Sequence, residues 1–135
     1  MSEQMLRPEY EPAIRVTAMP ADTNYYGDIF GGWIMSQMDL AAGNIAARHA
    51  GGRAVTIAVE GMTFHRPVFV GDEVSVYAKL MSVGRTSMKV AVEAWRRDHH
   101  SEESYKVTEA IFTFVAVGQD RRPRQVEPMA QPALN

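Results

Sequence analysis

The chain has 135 residues, 46% of them hydrophobic and 22% charged, the proportions of one soluble globular domain, which excludes a multidomain enzyme. Lys and Arg number 14 against 16 Asp and Glu, a net charge of -2, so no strong positive field draws nucleic acid and the partner to look for is a small molecule or another copy of the chain. Cysteine is absent, which removes disulfides, thiolate metal sites, iron-sulfur clusters and a Cys nucleophile together.

Residues 1–12 read as an N-terminal tail, punctuated by Pro8 and Pro12 and carrying Glu3, Arg7, Glu9 and Glu11 in place of the apolar run of a targeting peptide. No apolar stretch approaches the roughly 20 residues of a membrane span, so a cytoplasmic location is expected. The folding unit is residues 13–117, a single domain opening on a short strand near Ile14 to Met19. A polar loop from Asp22 to Gly32 leads into a helix over Trp33 to Ala50, with Gly31-Gly32 before it and Gly51-Gly52 after it. At about 100° per residue Ile34, Met35, Met38, Ala41, Ala42 and Ile45 share one arc, and most of the remaining circumference is small or apolar. Such a helix is expected to be central and buried on much of its surface. Alternating runs follow: Val55, Ile57 and Val59; Val74, Val76, Ala78 and Leu80; Met88, Val90, Val92 and Ala94. Each predicts a strand with one buried face, and a last strand runs from Lys106 to Val117. Short connections at Val83-Gly84-Arg85 and Asp98 to Ser104 imply antiparallel pairing. The expected class is α+β, in β-α-β-β-β-β order, with a sheet curled around one long helix. Residues 118–135, with Pro123, Pro128 and Pro132, read as a C-terminal tail.

Absences narrow the chemistry. There is no Walker A sequence, GxGxxG, HExxH, GxSxG or EF-hand loop, so phosphoryl transfer, dinucleotide redox, zinc peptidase and serine hydrolase readings lose their warrant. His49, His65, His99 and His100 form no metal-ligand pattern: His99-His100 suits a solvated loop, and His49 suits the negative end of the helix dipole. The anomaly is Asp39, the only carboxylate between Trp33 and Gly51. It either pairs with a cation or amide, or acts as a general base whose pKa is raised by desolvation. Upstream, Asn24 or Asp28 could cap the helix, and Gly31-Gly32 would expose free amides at its N-terminus, as an oxyanion site requires.

The stretch "ADTNYYGDIFGGWIMSQMDLAAG", followed by "VTIAVEGMTFHRPVFVGDEVSVYAKLMSVGRTSMKVAVEAW" and "VTEAIFTFVAVG", closely resembles bacterial acyl-CoA thioesterases of the hot-dog superfamily over about Met19 to Gly118. It is most similar to the broad-specificity group related to cytosolic animal acyl-CoA hydrolases. The resemblance implies a hot-dog fold, in which an antiparallel sheet wraps a long helix, two protomers join their sheets, and dimers assemble further, often as trimers of dimers into a hexamer. It implies a catalytic acid at Asp39, in the Met38-Asp39 pattern, and a helper amide at Asn24, in Asp22-Thr23-Asn24. Acid and amide of one site are then contributed by different protomers. Gly31 and Gly32 match the helix-entry glycines whose amides approach the thioester oxygen, and Gly84-Arg85-Thr86-Ser87 matches a "GR-[ST]-S" connection along the CoA tunnel.

The residues bear on the last point themselves. Arg85 and Lys89 bring positive charge, and Thr86 and Ser87 bring donors, as a phosphate-rich ligand needs, although without the resemblance an ordinary hairpin with a solvated rim is the preferred account of them. Phe64 and Arg66, with Pro67, are candidates for the acyl or pantetheine path. Tyr25 and Tyr26 stand where many relatives carry smaller residues, and two bulky rings there would narrow chain-length tolerance. The expected activity is hydrolysis of acyl-CoA to free acid and CoA, with no cofactor and no metal. Asp39 would activate water or, alternatively, attack the thioester to form an anhydride. A hot-dog hydratase or dehydratase and a non-catalytic acyl-CoA binding module are the competing expectations.

Overall fold

The computed structural model of the protein describes residues 7–130, so the outermost parts of the two expected tails, 1–6 and 131–135, lie outside the described residues. Strand β1 (Ile14–Thr17) is followed by a short 3-10 turn at Pro20–Asp22, helix α1 (Gly31–Ala50), and strands β2 (Ala54–Glu60), β3 (Glu73–Val83), β4 (Ser87–Arg97) and β5 (Ser104–Ala116). The β-α-β-β-β-β order and the mixed class are those expected from the sequence. All pairings are antiparallel, and the strands form one five-stranded sheet in the order β1-β3-β4-β5-β2.

Helix α1 starts two residues earlier than its pattern predicts, at Gly31, and closes on Gly51, whose φ of 66° is the left-handed conformation that glycine adopts freely. It packs against the sheet through Ile34, Met38, Ala41, Ala42, Ala46 and Ala50. Opposite them lie Val76, Val90, Val92, Phe112 and Phe114, all at most 2% exposed. The sheet covers one side of the helix only: Met35 and Leu40 stay exposed, so burial within the protomer is narrower than the composition of the helix suggests.

The expected alternation holds in β4, where Met88, Val90, Val92 and Ala94 are buried. In β3 both faces are covered, Tyr77 and Ser75 as well as Val74 and Val76. The extra cover comes from the N-terminal residues: the Tyr10 ring stands edge-on to Tyr77 at 5.9 Å, and the Ala13 amide donates to the Val76 carbonyl. Strand β2 departs furthest from expectation. Val55, Ile57 and Val59 are 41%, 58% and 37% exposed, because β2 lies at the edge of the sheet and pairs only with β5. The register shifts between Thr56 and Ala58, and that bulge changes which side chains face the helix.

The segment after Gly118, read from sequence as a tail, is docked. Val117 bridges Pro123, the Arg124 amide donates to the Ala116 carbonyl, and the Val126 side chain is buried in the core. Its prolines rule out a regular strand ladder but not these isolated contacts.

Candidate active site

Asp39 lies in the middle of α1, half-buried, and its Oδ1 accepts a 2.6 Å hydrogen bond from the Thr56 hydroxyl of β2. The two residues line a groove of about 340 Å³ together with Gly32, Met35, Ser36, Val59 and Phe112. The groove exists because the helix and the edge strand diverge where the bulge sits. Thr56 and Val59 both face it, which a strictly alternating strand would not allow. Thr56 is a site residue that the sequence reading missed, since alternation set it on the solvent side of β2. The signal was its placement in an otherwise apolar strand running beside the helix.

Phe30 is the N-cap residue and no side chain caps it, so neither Asn24 nor Asp28 has the capping role considered from sequence. The amides of Trp33 and Ile34 donate to the Phe30 carbonyl, which leaves those of Gly31 and Gly32 ahead of the first helical hydrogen bond. Gly32 borders the same groove as Asp39. Asp39 lies seven positions, a rise of about 10 Å, after Gly32, and an aspartate leans back toward the helix N-terminus, so a water and a thioester carbonyl fit in between. The Phe64 ring lies over Gly31 so closely that a Cβ there would meet Cζ at 3.0 Å and Cε2 at 3.1 Å. Phe64, half-exposed, thus borders the helix entry.

Asn24 belongs to a tight loop. The Asn24 amide donates to the Asp28 carbonyl, Thr23 bridges Ile29, and Asn24 Oδ1 accepts from the Tyr26 and Asp28 amides at 2.9 and 3.1 Å. With Oδ1 occupied, the exposed side chain presents its Nδ2 donors to solvent. Asn24 does not line the groove of its own Asp39, and Tyr25 and Tyr26 project fully exposed from the same loop.

The remaining candidates lie elsewhere on the protomer. Arg66 is held 4.7 Å above the Tyr105 ring. That phenol hydrogen-bonds the Glu103 carboxylate, which pushes the Tyr105 pKa up. Gly84-Arg85-Thr86-Ser87 forms the β3–β4 connection, with the Gly84 amide donating to the Ser87 carbonyl at 2.8 Å. None of Arg66, Arg85, Thr86 and Ser87 borders the Asp39 groove. Lys89 faces Glu60 at 3.6 Å, so its charge is shared with that partner. The His99 and His100 rings lie 3.8 Å apart, tilted at 47° to each other, in an exposed turn, as a solvated loop predicts. No helix among the described residues is long and apolar enough to cross a membrane.

Residues 26–103 match the Thioesterase superfamily. The chain is 56% identical over 133 residues to a protein of Zymomonas mobilis named as an uncharacterized acyl-CoA thioester hydrolase, covering 98% of this chain and 89% of that one. It is 52% identical over 120 residues to the acyl-CoA thioester hydrolase YciA of Salmonella typhimurium, covering 87% and 90%. Among solved structures, a hexameric broad-specificity acyl-coenzyme A thioesterase superposes with a TM-score of 0.84 at 48% identity, covering 90% of this chain and 84% of that one.

Proposed function

The chain belongs to the thioesterase superfamily, and on that premise we propose that it hydrolyses acyl-CoA thioesters to free acid and CoA, with Asp39 as general base. One observation carries the assignment of the base: the only carboxylate of the groove is held by the Thr56 hydroxyl at Oδ1, in a groove that also receives the helix entry at Gly32. With Oδ1 fixed, Oδ2 is free to take a proton from a water. That water attacks the thioester carbonyl, whose oxygen is steadied by the first-turn amides of Gly31 and Gly32 and by the Nδ2 donors of Asn24. The CoA thiolate is a good leaving group and needs little acid assistance, which fits the absence of histidine from the groove lining. A hydratase, by contrast, would call on a second titrating group there.

The site is shared between protomers in this reading. Asn24 is turned away from its own groove and its donors face outward, so the amide that meets one Asp39 comes from a second copy. The exposed apolar edge β2 is the surface through which two sheets join, and three such dimers complete a hexamer of the kind reported for the structural neighbour. Arg85, Thr86 and Ser87 receive the CoA moiety, whereas Phe64 and Arg66 border its path. The chemistry requires neither cofactor nor metal, because CoA is itself part of the substrate. The cytoplasmic location expected from sequence is retained.

The test is steady-state release of free thiol from acyl-CoA chains of graded length. Asp39→Asn is expected to lower kcat by roughly 10² to 10⁴ while the assembly keeps its mass. A variant hydrolysing at the wild-type rate would remove Asp39 from the mechanism, and hydration of enoyl-CoA without thiol release would replace the hydrolase reading by the hydratase one.

A further inference from the structure

The docked C-terminal segment meets the β3–β4 connection directly. The Val126 amide donates to the Arg85 carbonyl at 3.0 Å, and the Ala116 amide donates to the Thr86 carbonyl at 2.9 Å. Of two successive carbonyls of the connection, that of Arg85 is therefore tied to the C-terminal segment and that of Thr86 to the end of β5, and the Arg85 side chain is left exposed.

The segment is itself pinned to the end of α1. Arg124 Nη2 donates to the Ala50 carbonyl at 2.6 Å and Arg124 Nε to the Val117 carbonyl at 3.3 Å. Ala50 is the last residue of the helix, so a guanidinium there meets carbonyls that have no helical donor and the negative end of the dipole. A Cβ on Gly52 would stand 2.9 Å from Arg124 Nη2, so the glycine makes room for this approach. A second tie is the 2.8 Å hydrogen bond between His49 Nε2 and the Glu127 carbonyl. His49 thus holds the segment, beyond the dipole role expected from its place in the last turn. Between these two anchors Val126 inserts into the core.

We propose that residues 117–127 act as a latch that fixes the β3–β4 connection in the conformation that receives CoA, and that Arg124 is the positioning residue that closes it. The proposal rests on the reading that Arg85, Thr86 and Ser87 contact CoA. Release of the latch frees the Arg85 carbonyl and lets that side of the connection move, which weakens the hold on the nucleotide end of the substrate. The reacting thioester lies in the Asp39 groove, which the latch does not border.

The experiment compares wild type, Arg85→Ala, Arg124→Ala and Arg124→Lys by thiol release from butyryl-CoA and from the butyryl thioester of N-acetylcysteamine, which lacks the nucleotide. Arg124→Ala is expected to raise KM for butyryl-CoA about tenfold with kcat within about twofold, the size of a lost hydrogen bond to a charged group. Its kcat/KM for the truncated thioester should not change, and Arg124→Lys, which can still reach one carbonyl, should recover part of the KM. An unchanged KM in Arg124→Ala, or an equal loss with both substrates, overturns the latch. Wild type without thiol release would instead overturn the hydrolase reading, and an unchanged KM in Arg85→Ala would overturn the CoA contact. Should Arg124→Ala fail to fold, amide hydrogen exchange of the wild-type protein decides. Added CoA is expected to slow exchange in residues 84–87 and in 118–127 together, and protection confined to 84–87 overturns the proposal.

Discussion

Asp39 is the residue whose environment most repays comparison of one side chain with its neighbours. A lone carboxylate amid Met35, Met38 and Ala42 is costly unless something satisfies it, and the Thr56 hydroxyl is that partner. The oddity of Asp39 is visible in the linear pattern, but its donor is not, because the bulge at β2 that turns Thr56 inward depends on pairing with β5. Thr56→Val keeps the shape of the side chain and deletes the hydroxyl. It is expected to lower kcat about tenfold with little change in KM for acyl-CoA, as measured by thiol release, since the freed carboxylate loses its orientation. Tyr10 is a residue-scale probe of a different kind. Burial first, and then the charge of Glu93 and the neighbouring Tyr77, push its pKa above the ordinary value of about 10. The folded state therefore favours the neutral phenol, and the associated stability is present below pH about 10 and lost as pH rises through the higher folded value. Near-ultraviolet difference absorbance against Tyr10→Phe is expected to show this phenol ionising later than free tyrosine.

At the scale of elements, the sheet is held where it turns. Asp72, buried just before β3, accepts from the Phe69 amide at 2.9 Å and from Arg96 Nη1 of β4 at 3.3 Å, and its own carbonyl accepts from the Ala18 amide after β1. One residue thus joins the turn to β4 through its carboxylate and to the end of β1 through its backbone carbonyl. Arg96 also packs over the Phe69 and Tyr105 rings at 5.5 and 5.7 Å, and its Nε is buried without a hydrogen-bond partner among the described residues. Such a cation depends on the Asp72 carboxylate, its ion-pair partner at 3.3 Å. Asp72→Ala is expected to cost about 3–5 kcal/mol in urea unfolding, because it strands the guanidinium, and Asp72→Asn less, because the turn acceptor survives. Gly71-Asp72 is a turn signal in the linear sequence. The pairing of Asp72 with Arg96 is not legible there, since 24 positions of chain separate the two and only the β3–β4 register brings them together.

At the scale of the whole molecule, the protomer leaves apolar surface open. Helix α1 exposes Met35 and Leu40, β2 exposes Val55, Ile57 and Val59, and Asn24 is exposed outside the groove of its own Asp39. Each of these is a surface that a second copy can cover. Ile57→Lys is expected to leave the protomer's own stability within about 0.5 kcal/mol, because the side chain is exposed there, yet to lower the assembly mass in sedimentation and abolish thiol release. Unchanged mass and rate would take β2 out of the interface.

The linear sequence by itself determined the element order, the antiparallel pairing of β3, β4 and β5, the central helix and the family, because turn residues and apolar periodicity are local and the family's motifs stand in order along the chain. It also singled out Asp39, since a charge in an apolar helix is conspicuous without any structure. Tertiary structure decided what covers each apolar face. Periodicity says that Val55, Ile57 and Val59 want burial but not by what, and edge position leaves them open. It decided likewise that Thr56 meets Asp39, that Arg124 meets the end of α1 and that Val126 ties Arg85. Those contacts join segments 17 to 74 residues apart, and their geometry follows from bulges and sheet register that local propensity does not encode.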